Sequence, residues 1–251
     1  MTEQPVALVT AAGRGIGAGC ARALSGAGFR VVLMSPSSSS ERLAKELDGL
    51  AMPGSVLVEE DLRSLVELAE RSFGRVDAVV NNMGHGGTLP GPIGGAQEVR
   101  ETGAGLLDIP DETWRESFSM YVLSVVRIAR IVTPIMLRQR KGAIVNISSF
   151  NALEPTPMYP MSTLRGALHA FTKVYADQYG PSGIRMNNLL PGYVQTESVS
   201  LTPQALAGIP MRRMGSVEEI GAVCRFLCED ASSYITGQNI LVDGGLNRAV
   251  R

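Results

Sequence analysis

Histidine is almost missing from this chain. His85 and His169 are the only two in 251 residues, which excludes a metal centre built on several imidazoles. Cysteine is scarce too. Cys20, Cys224 and Cys228 are three in number and cannot all pair; Cys224 and Cys228 stand four apart on an expected helix, with no further Cys or His at metal-ligand spacing. They read as buried thiols of a reducing compartment, so a cytoplasmic location is expected. Neither sign of charge is in excess: the net charge is −1, which leaves no footprint for nucleic acid or a membrane surface. The N-terminus lacks a basic, apolar, cleavable leader, and no apolar run is long enough to span a bilayer. There is no repeat of 20 to 50 residues. What remains is 45% hydrophobic and 19% charged, the balance of a globular protein with a large core.

The stretch Val6–Gly17 organises the rest. Val6–Val9 is a short apolar run, long enough for a buried strand, and glycines follow at 13, 15 and 17. Ile16, Cys20, Ala23 and Leu24 then recur at helical spacing until Gly26 and Gly28 end the pattern. Strand, side-chain-free turn and helix start together let a pyrophosphate approach exposed backbone N–H groups.

Further strand-like runs lie at Arg30–Met34, Ser55–Val58, Val76–Asn81, Ala143–Ser148, Ile184–Leu189 and Asn239–Val242. Helical periods lie between them near Glu41–Leu50, Leu62–Phe73, Asp111–Arg138, Pro160–Tyr179 and Ser216–Cys228. Strands alternating with helices predict a doubly wound parallel sheet, Rossmann-like, in a single domain spanning residues 1–251. Asp111 is expected to cap a helix whose Trp114, Phe118, Tyr121, Val125, Ile128 and Val132 form one stripe, kinked near its end by Pro134. Pro160 suits a first helical position, and Ser216-Val-Glu-Glu219 has capping-box spacing.

In this order the motifs resemble those of the short-chain dehydrogenase/reductase family over essentially the whole chain. Thr10-Ala-Ala-Gly-Arg-Gly-Ile-Gly17 is similar to its Thr-Gly-x-x-x-Gly-x-Gly turn, with Ala11 for the first glycine. Asn81-Asn82-Met83-Gly84 resembles its Asn-Asn-Ala-Gly segment, and Ile144–Ser149 the strand that ends in its catalytic serine. Pro191-Gly-Tyr-Val-Gln-Thr196 resembles the segment that holds the nicotinamide end. Tyr234-Ile-Thr-Gly-Gln and Val242-Asp-Gly-Gly245 resemble its C-terminal strand. The resemblance implies cofactor contacts at Thr10, Gly13, Arg14, Gly15, Ile16, Gly17, Ser35, Asp61, Leu62, Asn82, Gly84, Arg165, Pro191, Gly192, Val194 and Thr196. It implies substrate contacts at Ser149, Met161, His85 and Tyr193, and a homodimer or homotetramer joined through the helices Asp111–Arg138 and Pro160–Tyr179.

The active site departs from the pattern. The family uses Asn, Ser, Tyr and Lys, the last two four apart on one helix, with the lysine binding the nicotinamide ribose and lowering the phenol's pKa. Counting back from Pro191-Gly192 puts the tyrosine position at Met161 and the lysine position at Arg165; counting on from Trp114 puts the asparagine position at Tyr121. Only Ser149 survives. A second alignment sets Tyr159-Pro-Met-Ser-Thr163 against Tyr-x-x-Ser-Lys, but needs a two-residue shift that the downstream spacing does not support. Met161 cannot act as acid or base. Arg165 can still bind ribose hydroxyls and favour a phenolate, but cannot shuttle a proton. The proton donor is then Tyr159, in the extended entry before Pro160, or Tyr121 on the facing helix, with His85 a further candidate by position alone. Ser149 is the expected donor to a substrate carbonyl.

Ser35, followed by Pro36 and serines 37–40, stands where an NAD-preferring member carries a carboxylate. Nothing there repels a 2′-phosphate, and Arg14 and the serine hydroxyls can bind one, so NADP(H) is preferred, with NAD(H) the alternative. Residues 85–110 form a Gly- and Pro-rich excursion over the crevice, with His85 at its start, and 197–212 a second substrate-side loop. The expectation is a reductase or dehydrogenase acting on a small carbonyl/alcohol pair. The alternatives are a nucleotide-binding sensor, partner subunit or non-redox enzyme on the same scaffold, and a reductase of an activated C=C bond.

Overall fold

Apolar residues alternate with a period of two along the first strand, and this fixes the middle of the fold. In β1 (Val6–Thr10) Ala7 and Val9 join one core, Val6 and Leu8 the other. β2 (Arg30–Ser35) repeats it, with Val31 and Leu33 on the first side and Val32 and Met34 on the second. The computed structural model describes residues 4–83, 105–155, 160–197 and 199–249. Among them, β3 (Leu50–Pro53), β4 (Ala78–Asn82), β5 (Gly142–Ile147), β6 (Ile184–Pro191) and β7 (Asn239–Val242) complete a seven-stranded sheet in the order β3-β2-β1-β4-β5-β6-β7. Every pair is parallel. This is the doubly wound single-domain α/β architecture that the sequence predicts.

Such strands are apolar on both faces and need helices over each. The helices are α1 (Gly15–Gly26), α2 (Ser39–Glu46), α3 (Glu59–Phe73), α4 (Asp111–Phe118), α5 (Ser124–Gln139), α6 (Met161–Tyr179), α7 (Pro203–Gly208) and α8 (Val217–Cys228). α1, α2 and α8 cover the Ala7–Val9 face; α3, α5 and Tyr175 of α6 cover the other. Cys20, Cys224 and Cys228 are free and buried in the first of these cores. The capping box at Ser216 is present: its hydroxyl accepts from Glu219 N at 3.2 Å and the Glu219 carboxylate accepts from Ser216 N at 2.8 Å.

Across β4, β5, β6 and β7 four asparagines stand in register: Asn81 opposite Asn146, Asn146 opposite Asn188, Asn188 opposite Asn239. Their carboxamides connect at 2.8, 3.0 and 2.8 Å, with Thr172 of α6 donating to Asn188 at 2.9 Å. Asn146 and Asn188 have no solvent exposure, so each satisfies its polar atoms within this row, as burial requires.

Several boundaries differ from those expected. The third strand is Leu50–Pro53, not Ser55–Val58. A side chain on Gly49 would meet Val31 O at 2.6 Å, so the chain is already alongside β2 there and pairs at once, Leu50 opposite Val32. Ser55–Val58 becomes a turn with Leu57 and Val58 40% and 47% exposed. Helix α2 ends at Glu46, short of Leu50, and starts within the serine run. Asp111 is the first residue of α4 and not its cap; Pro110 precedes it with no side-chain cap bond. The helix Asp111–Gln139 is interrupted by a π-helical turn, Ser119–Leu123, and α5 continues through Pro134. The wider turn shifts the phase, so Phe118 is 43% exposed while Tyr121, Val125, Ile128 and Val132 stay inside. By length and composition Asp111–Gln139 could cross a membrane, contrary to the expectation of no such run, but 61% of its apolar window is buried within the protein.

Candidate active site

The sheet order reverses at β1, which lies between β2 and β4. Loops leaving the strand ends diverge at such a point and open a crevice. The first of them, residues 11–14, leads into α1, whose N-cap Arg14 is extended and makes no side-chain cap bond, with no acidic residue in the first turn. The leading N–H groups of α1 therefore meet no side-chain acceptor, the arrangement that favours an anion.

Each glycine of this turn admits a different neighbour. A Cβ at Gly13 would fall 1.8 Å from Ser39 Oγ, one at Gly15 3.5 Å from the Thr196 methyl, and one at Gly17 2.4 Å from Ala11 O and 2.5 Å from Asn82 Nδ2. The start of α2, the segment after β6 and the end of β4 thus converge on one turn. Gly15 is in left-handed backbone (φ +55°), and so is Ala11 (φ +45°), where the side chain makes the conformation strained.

Asn82 Nδ2 donates to Ala11 O at 3.0 Å and holds the turn from β4. The Ser35 hydroxyl donates to Ser37 O at 2.8 Å and shapes the serine loop. Arg14 is exposed at its mouth, and Ile16 packs partly buried against the α1 core. Beyond β6, Pro191 is buried and Gly192 is passed so closely by Asp243 Cα that a Cβ would lie 2.7 Å away. Val194 pairs with Gly215 through Tyr193 O and Gln195 N, leaving Val194's own N–H and C=O outside that pairing. Tyr193 meets Phe150 edge to face at 5.4 Å.

Three of the expected cofactor contacts have their side chains engaged within the fold. The Thr10 hydroxyl is buried and bonded to the Asn82 backbone at 3.0 and 3.1 Å, joining β1 to β4. Because the third strand ends at Pro53, Asp61 lies in the first turn of α3, where its carboxylate accepts from Ser55 N at 2.8 Å. Leu62, 1% exposed, is a core residue whose N–H bonds to Val58 O. Gly84, His85 and Tyr159 lie outside the described residues, as do residues 86–104 of the expected excursion; 105–110 contain a short turn in which Leu107 is 94% exposed. The second loop, 197–212, carries α7.

Below the crevice β5 ends at Ile147, and Ser149 starts a short turn, its Oγ accepting from Asn151 N at 3.3 Å. Arg165 of α6 is 5% exposed; its Nη1 donates to Ile147 O at 2.8 Å and its guanidinium lies 4.9 Å from the Tyr121 ring centroid. Its Nε is buried with no hydrogen-bond partner. Met161 is one turn earlier on α6, in an apolar cluster with Met83, Met120, Tyr121 and Leu168. Tyr121 is fully buried, and burial pushes its phenol up to about 12 against the pull of Arg165. Burial in turn lowers the Arg165 guanidinium, opposed by Tyr121. The site therefore holds a fixed cation and a protonated phenol in contact, carried on two facing helices.

Two features were not found from sequence. The π-helical turn that carries Tyr121 has no local residue signal. The buried pair Ser148 Oγ···His169 Nε2, at 2.7 Å, joins residues too far apart in the chain for spacing to reveal. Among the described residues no group of three or more His, Cys, Asp or Glu side chains is placed to hold a metal ion. A cavity of about 90 Å³ lies beside Tyr193, Met211 and Gly244; a larger groove of about 1040 Å³ lies at the opposite, N-terminal edge of the sheet, by Phe29, Arg75 and Arg185.

The residues present suit a dinucleotide: an uncapped helix start behind a glycine turn for phosphates, and an orphaned buried guanidinium N–H for a sugar or amide oxygen. Comparisons with known proteins give the family. Residues 10–247 match the family model described as enoyl-(acyl carrier protein) reductase. The chain is 31% identical over 258 residues to 3-oxoacyl-[acyl-carrier-protein] reductase FabG of Thermotoga maritima, covering 97% of this chain and 98% of that protein. It is 32% identical over 253 residues to 3-oxoacyl-[acyl-carrier-protein] reductase of Synechocystis, covering 96% of each. The crystal structure of YwfH, an NADPH-dependent reductase involved in bacilysin biosynthesis, superposes with a TM-score of 0.84 at 25% identity, covering 98% of this chain and 100% of that one.

Proposed function

From the premise that this chain belongs to the short-chain dehydrogenase/reductase family and is an oxidoreductase, we propose that it is an NADP(H)-dependent reductase of a small carbonyl substrate with a rebuilt proton-donating site. When bound, the nicotinamide supplies a hydride to the carbonyl carbon. The free N–H groups at the start of α1 hold the phosphates, and Arg14 with the serines after β2 takes the 2′-phosphate. Arg165 binds the nicotinamide ribose, and the loop from Pro191 to Thr196 orients the ring. Ser149 donates to the substrate oxygen as negative charge develops there. Tyr121 or Tyr159 delivers the proton, because Met161 has none to give. The protein works in the cytoplasm as a homodimer or homotetramer.

The observation that carries this reading is the convergence of Ser39, Thr196 and Asn82 on Gly13, Gly15 and Gly17, with Ser149 and Arg165 at the neighbouring strand end. The test is titration with NADPH and NADH followed by turnover on a panel of ketones and enones. NADPH is expected to bind more tightly, and Ser149→Ala to lower kcat by about 10²–10³-fold. Tyr121→Phe and Tyr159→Phe, made singly, identify the proton donor; if both leave turnover intact, neither tyrosine has that role. Met161 in the family's tyrosine position favours one second reading, nucleotide binding without hydride transfer; tight NADPH binding with no oxidation on any substrate establishes it. Turnover on enones alone would instead select C=C reduction.

A further inference from the structure

α6 grips the end of β5 through three side chains on one face. Thr172 accepts from Asn146 Nδ2 at 3.1 Å, His169 Nε2 meets Ser148 Oγ at 2.7 Å, and Arg165 Nη1 donates to Ile147 O at 2.8 Å. Residues 165, 169 and 172 recur at one helical face, and they hold three consecutive residues, Asn146 and Ile147 at the end of the strand and Ser148 just past it. The next residue is Ser149. It lies two residues beyond the strand, its hydroxyl accepting from the Asn151 N–H at 3.3 Å. Its direction therefore follows from how the chain leaves the sheet at Ser148.

At that exit the backbone has one inter-strand bond, Ser148 N to Leu189 O at 2.8 Å. The remaining fixed contact of Ser148 is its hydroxyl on His169, both groups at most 9% exposed. A buried hydroxyl left without its partner seeks another, and the peptide that carries it turns with it. We propose that His169 is a positioning residue: through Ser148 it fixes the exit of β5 and so aims the Ser149 hydroxyl at the substrate oxygen. The aim at substrate rests on the reading of Ser149 given above; the control of the strand exit does not.

The experiment compares wild type with His169→Leu, His169→Gln, Ser148→Ala and the double variant Ser148→Ala/His169→Leu. Kinetics with NADPH, NADPH affinity by fluorescence, and amide exchange over residues 147–152 are measured on each. A misdirected donor costs turnover, not ground-state binding, and small displacements reduce rates about ten- to a hundred-fold. His169→Leu and Ser148→Ala are each expected to lower kcat about ten-fold or more, with KM and NADPH affinity nearly unchanged, and to speed exchange at Asn151. Glutamine, whose terminal amide reaches the place of ring Nε2, restores both, and the double variant is no worse than either single one. A folded His169→Leu protein with unchanged kcat and unchanged exchange overturns the proposal, as does a glutamine variant that rescues stability but not kcat. If His169→Leu does not fold, Ser148→Ala decides by the same two readouts. If wild type turns over no substrate, the functional reading fails, while exchange at Asn151 still decides whether His169 controls the strand exit.

Discussion

The guanidinium of Arg165 lies over the ring of Tyr121, 4.9 Å from its centre, and its Nη1 donates to Ile147 O at 2.8 Å. The contact joins α6 to the π-helical turn and brings a permanent positive charge to a buried phenol. A lysine can offer a point charge but not a planar fork that donates and covers a ring at once.

Arg165→Lys is therefore expected to be a destabilising change despite restoring the residue type of the family. Loss of the cation–ring contact and of one charge-assisted bond corresponds to about 2–3 kcal/mol. Urea unfolding monitored by circular dichroism checks it; a midpoint equal to wild type would show that this geometry contributes nothing.

Ala11 occupies left-handed backbone (φ +45°) at the head of the glycine turn. A Cβ there is strained by about 1–2 kcal/mol, which glycine avoids. Ala11→Gly should raise the unfolding free energy by about 1 kcal/mol, after allowing for the greater freedom of glycine in the unfolded chain. The Asn82 side-chain amide bonds to the main-chain carbonyl of residue 11, which the substitution leaves in place, so that bond should persist.

Two buried phenols are pushed up to about 12 by burial, Tyr121 and Tyr175, the latter also bonded to Thr133 Oγ1 at 2.6 Å. Both pKa values exceed the unfolded value near 10, so the native state holds its protons longer. The stabilisation is complete below about pH 10 and is lost as the pH rises toward 12, by at most about 2–3 kcal/mol for each group. Stability measured between pH 9 and pH 11.5 should fall steeply in wild type and less steeply in Tyr175→Phe.

Glu219 titrates in the other direction. Its bond from Arg213 and its capping bond from Ser216 N bring its carboxyl to about 2, below the unfolded value. The cap is intact above about pH 4.5 and is lost as the pH falls toward 2. The melting temperature of Glu219→Gln should change less over this interval than that of wild type, and Ser216→Ala should lower stability at pH 7 by about 1 kcal/mol.

How much of this was legible in the sequence depends on how local the cause is. The glycine turn was, because its glycines stand together directly between a short apolar run and a helical period, although the neighbours that require them, Ser39, Asn82 and Thr196, are distant in the chain. The third strand was not: Ser55-Val-Leu-Val58 has more strand character than Leu50-Ala-Met-Pro53, yet the close passage of Gly49 beside Val31 starts the pairing earlier. That shift carries Asp61 and Leu62 into α3. Counting from the flanking motifs assigned Arg165 and Tyr121 to one site, and the structure sets the two side chains against each other. Their direct contact depends on an extra residue in one helical turn, which no pattern in the sequence announces.

The row of asparagines has a consequence for assembly. Because Asn81, Asn146, Asn188 and Asn239 meet only in one alignment, sliding any of these strands by a residue would set a carboxamide against valine, isoleucine or leucine. Each orphaned amide then forfeits about 1–3 kcal/mol, so wrong alignments are penalised at several points together. Half of the sheet proofreads itself as it forms, and the crevice at its end inherits one geometry.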